Sequence, residues 1–252
     1  MINLYYRHGA DKNYIFHSKN HHINKNDKVN ILMFAVKKGD LKLLKTILKY
    51  KPEINAKDSK NRNALFYGIN NSIGDNPELI TELIKNGINV NETEVYLPSD
   101  NIEGHSPLTL SAKLNFNKIL KVLLENLADP NHQVKSNLNS CMHYAIMNNN
   151  ENMTRILIES TANTNILNKN DDTPINMALR GSNVYIYWLL ADENEKLRIQ
   201  REVSKMVADS EKIDKNNCSI DNLKKIFYSK KDKNLLIEKR SNEGNLFFIC
   251  LT

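Results

Sequence analysis

Four histidines near the start of the chain, His8, His17, His21 and His22, are the first residues whose type and clustering suggest chemistry, because neutral imidazole ligates transition metals. Their spacing matches no zinc signature and no cysteine accompanies them, so they read as solvated loop histidines. His132 and Cys141 lie near each other, as a base and a nucleophile would. No third group is placed to orient the base, and Cys141 reads as a small core thiol. The carboxylate pairs Asp171-Asp172 and Asp192-Glu193 lack an acid–base partner and suit helix starts. Glycine is scarce, at 8 of 252 residues, and no Gly-Lys-Ser/Thr occurs, so nothing resembles a phosphate-cradling loop. Lys224, Lys225, Lys230, Lys231, Lys233, Lys239 and Arg240 could meet phosphates or anionic lipid. The interleaved Asp221, Asp232 and Glu238 favour an ordinary solvated helix face. No enzyme, cofactor or metal is expected.

The elements that carry these residues follow a period near 33 residues. Small residues recur within short apolar stretches at Ala35, Gly68, Ser111, Ala145 and Ala178, in steps of 33, 43, 34 and 33. About 20 residues after most of them an asparagine closes a second apolar stretch, at Asn55, Asn91, Asn131 and Asn165. Such a period means a stacked array, which presents a surface rather than a reaction centre. Asparagine, lysine and isoleucine are abundant, which reads as AT-rich coding DNA as much as physics.

Within one period the pattern is helix, interruption, helix. Ile31, Leu32, Phe34 and Ala35 form a short apolar stripe, Gly39-Asp40 breaks it, and Leu41, Leu44, Ile47 and Leu48 resume at helical spacing. Each helix is too short to repay its own nucleation. Folded as antiparallel pairs, the helices still leave an apolar face bare, which the next pair covers. On this reading Leu48, Leu83, Leu124, Leu157 and Leu190 occupy equivalent core seats.

The openings Ser106-Pro107-Leu108-Thr109-Leu110-Ser111, Ser140-Cys141-Met142-His143-Tyr144-Ala145 and Thr173-Pro174-Ile175-Asn176-Met177-Ala178 resemble the Thr-Pro-Leu-His-x-Ala signature of the ankyrin repeat. A hydroxyl before proline caps a helix start. The closings Gly9-Ala10-Asp11-Lys12-Asn13, Gly87-Ile88-Asn89-Val90-Asn91 and Leu127-Ala128-Asp129-Pro130-Asn131 resemble Gly-Ala-Asp-Val-Asn. Lys51, Leu127 and Thr161 stand where that glycine would sit, so those turns should be less ideal. His143, in the signature position, should hydrogen-bond backbone between repeats. The resemblance implies an all-α ankyrin-repeat solenoid of stacked antiparallel helix pairs with projecting loops. The expected division is an array over 1–191 (a partial repeat at 1–29, then repeats near 30–62, 63–105, 106–139, 140–172 and 173–191) and a helical extension over 192–252.

Residues 14–28, 70–77 and 92–105 lengthen connections, which a surface loop tolerates at small entropic cost. Glu193 to Asp209 and Cys218 to Tyr228 read as charged helices, and 243–250 as the opening of one more ankyrin unit. An apolar tail without a capping helix fits a piece of a longer gene, or an end that docks back on the chain.

Family members bind other proteins on the concave first-helix face and its fingers. Carried over, that surface comprises Lys37, Lys38, Asn70, Asn71, Lys113, Leu114, Met147, Asn148 and Arg180 on the helices. Fingers add Arg62, His105 and Asp172, with Ser59, Lys60, Glu103, Asn139, Lys169 and Asn170 beside them. Its mix of Lys, Arg and Asn suits an acidic or amide-rich protein, with Leu114 and Met147 as central anchors. The alternatives are the targeting part of a larger protein, a secreted microbial effector, or a binder of anionic polymer or membrane through 224–240. The net charge of +6 does not single out nucleic acid. No apolar run spans a bilayer and no secretory signal opens the chain. Three scattered cysteines fit reduced thiols in a cytoplasmic compartment. Oligomeric state is not encoded in any feature of the sequence.

Overall fold

The computed structural model describes residues 15–16, 29–70, 74–97, 102–181, 184–194, 196–198, 201, 238–240 and 246–248. His8, His17, His21, His22, Asn71, the 218–228 segment and residues 224–237 lie outside them. The chain divides into two compact units, Met1–Thr173 and Pro174–Thr252.

The first unit opens with a two-residue antiparallel ladder of β1 (Ile15–Phe16) and β2 (Val29–Asn30). Helix pairs follow: α1 (Ile31–Lys37) with α2 (Leu41–Leu48), α3 (Ala64–Ile69) with α4 (Glu78–Lys85), α5 (Pro107–Lys113) with α6 (Asn117–Glu125), and α7 (Cys141–Met147) with α8 (Glu151–Glu159). First helices pack in succession, α1 on α3, α3 on α5 and α5 on α7; second helices do the same. This is the expected stack, since each pair shelters a flank of its neighbour. Between the second and third pairs, β3 (Tyr96–Leu97) and β4 (Ile102–Glu103) turn the long 92–105 excursion into a hairpin.

The core sits between the two helix rows. Ala35, Ser111 and Ala145 have no exposed surface, so the small residues mark the close approach of helices. At Gly68 an added Cβ would stand 2.8 Å from Ile80 Cδ1 and 2.9 Å from Val36 Cγ1, so even one methyl group would force both neighbours to move. The second-helix register corrects one expectation. Leu44, Ile80, Leu120 and Thr154 form one buried row, and Ile47, Leu83, Leu123 and Leu157 the next. Leu48 and Leu124 stand one position on, half-buried. One residue turns a helix by about 100°, so of two adjacent leucines only one can face the core.

Most helix starts are capped locally. Asn30, Asp40 and Asn150 each accept an N–H three residues on, at 2.9, 2.8 and 2.8 Å. Asn63 accepts from Leu65 at 3.1 Å, and Ser106 exchanges bonds with Thr109. Helix α6 begins after Phe116, which cannot cap. Its first N–H groups are taken by Asp75, whose two carboxylate oxygens accept from Lys118 and Ile119 at 2.9 Å each. The 70–77 insertion therefore has a job, with its carboxylate set where a helix dipole favours negative charge. Asp75→Ala is expected to cost about 1–2 kcal/mol in chemical denaturation. An unchanged midpoint would show α6 indifferent to this cap.

In the second unit α9 (Pro174–Arg180) packs against α10 (Val184–Leu190), with Ala178 and Ile186 buried. The described residues between 193 and 201 are helical. The tail departs from expectation: β5 (Glu238–Arg240) pairs antiparallel with β6 (Leu246–Phe248), where an ankyrin-like helix opening was read. Leu-Phe-Phe-Ile is rich in aromatic and branched side chains, which suit a strand.

Candidate partner-binding face

The expected contact residues stand on the stacked first helices. Lys37, Asn70, Lys113 and Met147 each follow the small core residue by two positions. Lys38, Leu114 and Asn148 follow by three. Lys38, Asn70, Lys113, Leu114 and Met147 are exposed, while Lys37 and Asn148 are half-buried. Arg180, in the second unit, is exposed at the end of α9. Sequence reasoning missed a further row on the same helices, one position before the small residue: Phe34, Tyr67, Leu110 and Tyr144. The signal was present as an aromatic or leucine in four of the five openings, with Met177 in the fifth. The first three are half-buried, and Tyr144 is only 4% exposed. The Lys38 ammonium lies 5.7 Å from the Phe34 ring centre, within cation–π range.

Several expected contact residues prove to be committed within the chain. His105 is a correction: it is buried, not projecting. Its Nε2 is 2.9 Å from Glu103 Oε2, its Nδ1 is 3.2 Å from Thr109 Oγ1, and its ring centre is 5.8 Å from that of Tyr144. Burial holds its pKa down at about 4 despite the Glu103 contact, so the ring is neutral at physiological pH. Asn139 is likewise buried. Arg62 is not a free cation. Its guanidinium binds Asp58 Oδ2 at 2.7 Å, Tyr67 donates its hydroxyl to the same oxygen at 2.7 Å, and the Asp58 side chain is wholly inside. Lys113 is paired with Glu103 at 2.7 Å. Burial works to raise the Glu103 pKa, but the Lys113 and His105 hydrogen bonds outweigh it and hold the carboxyl low. Asn148 donates to the Ala112 carbonyl at 2.8 Å and so joins two neighbouring first helices.

Successive repeats are laced together at two further levels. Asn55 accepts from Asn89 N–H at 2.7 Å, Asn91 from Asp129 at 2.8 Å, and Asn131 from Asn163 at 2.8 Å. Along the fingers, Val95 N–H donates to Lys60 O at 2.9 Å, Ser136 to Glu103 at 3.1 Å, and Lys169 to Asn137 at 2.9 Å. The 92–105 hairpin is thus a lengthened finger tied to both neighbours.

The chain matches the family described as ankyrin repeats in three overlapping copies, over residues 5–94, 32–134 and 108–201. The chain belongs to the ankyrin repeat family. Its relatives include an ankyrin repeat protein of Acanthamoeba polyphaga mimivirus, 32% identical over 124 residues, which are 49% of this chain and 15% of that protein. Another, of fowlpox virus, is 30% identical over 102 residues, 40% of this chain and 28% of that protein. The chain therefore matches only a minor part of the length of these relatives.

Ankyrin geometry accounts for the remaining polar core. Ser140 N–H donates to His143 Nδ1 at 3.1 Å, so the proton sits on Nε2, which donates to the Asp172 carbonyl at 3.0 Å. The signature histidine bridges repeats as expected, and Asp172 is half-buried at the other end of that bridge. Burial lowers the His143 pKa and raises that of the Cys141 thiol, which suits packing and not nucleophilic attack. His132 is held elsewhere, with Nε2 3.2 Å from the Gly104 carbonyl. At the ankyrin turn after each second helix, Lys51, Gly87, Leu127 and Thr161 have φ of 49, 84, 64 and 57°. A branched side chain pays most for this conformation. Thr161→Gly is therefore expected to stabilise the array by about 1 kcal/mol, read as a raised denaturation midpoint. A lowered midpoint would show that the turn carries no strain.

Proposed function

We propose that this ankyrin array is a scaffold that binds a protein partner on its first-helix and finger face. What carries the reading is a set of side chains, Lys38, Asn70, Leu114 and Met147, held outward at matching positions by helices whose opposite sides are locked in the core. Leu114 and Met147 are 36% and 59% exposed, which suits apolar anchors within a polar rim. Arg62 and Lys113 already have carboxylate partners, so the positive charge that would attract an acidic protein comes from other lysines of the helices and fingers, among them Lys38, Lys135 and Lys169. We place the array at 1–191 and the extension at 192–252.

The test is a triple variant, Lys38→Glu, Leu114→Asn and Met147→Gln, which spares the Arg62–Asp58 and Lys113–Glu103 ion pairs. Affinity for a partner recovered with the wild-type chain should fall at least tenfold, with an unchanged melting profile. Equal affinity would remove this face from the function. The greater length of both viral relatives supports a second reading, in which the array is the targeting part of a larger protein. Among the described residues no helix is long and apolar enough to cross a membrane.

A further inference from the structure

We infer that partner contact centres on two adjacent fingers, through Leu138, Leu167 and Met147, and that the occupant is a protein segment bearing an apolar side chain beside acidic residues. This rests on the protein-binding reading above and names both the hot spot and its ligand.

The first observation is conformational. The equivalent fingertip positions Asn61, Gly104, Leu138 and Asp171 have φ of 62, 83, 56 and 57°. Asn, Gly and Asp are the residues that accept the left-handed region; leucine is not. Leu138 is also 41% exposed, so core packing does not offset the strain. A strained, exposed leucine where its siblings are polar or glycine points to a role outside folding.

The second observation is proximity. Gln133 Nε2 donates to the carbonyls of both Leu138 and Leu167, at 2.8 Å each, and so holds the two backbones side by side. Leu167 is 51% exposed. Met147, 59% exposed, places its sulfur 3.7 Å from the side-chain nitrogen of Asn139, the residue after Leu138. Leu138 and Leu167 thus stand on adjoining backbones joined by one amide, and Met147 lies against the residue that follows Leu138. Methionine adapts to varied shapes, which suits an anchor pocket.

The third observation is charge. Lys135 and Lys169 are exposed on the same two fingers, and none of the ion pairs among the described residues involves them. Asp171 is exposed and Asp172 half-buried on the second of these fingers, so what an acidic partner would meet is the two exposed, unpaired ammonium groups rather than a net charge. The cations Arg62 and Lys113, by contrast, are neutralised within the chain. An apolar patch framed by unspent lysines complements an apolar side chain flanked by Asp or Glu.

A displayed library of random short peptides selected on the intact chain tests this. Enriched peptides should carry a large apolar residue beside acidic ones. They should lose at least tenfold in affinity for a Leu138→Asn, Leu167→Asn variant and keep affinity for a Lys37→Glu, Lys38→Glu variant. Leu138→Asn alone should raise the melting temperature by about 2 °C, since relieving strain and binding a partner pull in opposite directions here. Peptides that survive the leucine changes but not the lysine changes would overturn this inference and leave the broader reading standing. Enrichment without acidic residues, or a lowered melting temperature for Leu138→Asn, would also overturn it. No enrichment over a blank surface would overturn both readings.

Discussion

Leu123→Ala is expected to destabilise the array by about 3 kcal/mol, and Leu124→Ala by no more than about 1 kcal/mol. The two leucines are sequence neighbours on α6, yet Leu123 has no exposed surface and Leu124 is half-buried. Removing three carbons from a closed seat forfeits transfer energy and leaves a cavity that the packed helices α4 and α8 can only partly fill. At the half-open site water can occupy the space. The difference between the two denaturation midpoints measures the register directly. Equal losses would mean that the second-helix rows are misassigned. Because stability in an array is shared between neighbours, the loss should also loosen the repeats on either side, visible as faster amide exchange in α4 and α8.

Acidification from pH 7.5 to 5 is expected to remove about 2 kcal/mol, in step with protonation of histidine. His105 is buried with a pKa near 4, and burial lowers that of His143. His105 is therefore neutral when folded across this range, and His143 takes a proton less readily than in the unfolded chain, where both rings titrate near 6.5. A depressed folded pKa makes the unfolded state the better proton acceptor. Stability is then fully present above about 6.5 and drains away as pH falls toward about 4. The geometry around each ring agrees. A second proton on His143 Nδ1 would face the Ser140 N–H, and charge on His105 would face Lys113 and His132, countered by Glu103. Glu94 works in the opposite direction, because burial raises its carboxyl pKa and acid relieves it. A His105→Gln, His143→Gln double variant should be weaker at pH 7.5 but nearly flat down to pH 5. A wild-type chain equally stable at both pH values would show that these rings are not held neutral.

What the sequence revealed was what local rules encode. Ala35, Ser111 and Ala145 mark helix crossings because a missing side chain has no substitute there. Asn30, Asp40 and Ser106 cap because their acceptors reach only a few atoms along the chain. Even the glycine-replacing Lys51, Leu127 and Thr161 kept their backbone shape. Which of two adjacent apolar residues takes the core seat was not legible. Ile47 and Leu48, like Leu123 and Leu124, are equally apolar, and only the neighbouring helix decides between them. The closure of Arg62 on Asp58, and of Lys113 on Glu103, depends on how a finger bends back over a helix, which spacing does not fix. His105 was placed at a fingertip by its number and in the core by its contacts. The abundant asparagines, read largely as a mark of base composition, turn out to work: they fill left-handed turns at Asn61, Asn115 and Asn149 and bridge repeats at Asn55, Asn91 and Asn131.

Asp75 belongs to one repeat and serves a helix of the next. The units of this chain are thus not interchangeable bricks. A segment spliced in behind a different predecessor would arrive with the start of its second helix frayed, however well its greasy flank matched. Gene duplication or deletion that kept the array sound would have to carry donor loop and client helix together, so the natural cutting points lie elsewhere than the 33-residue phase suggests.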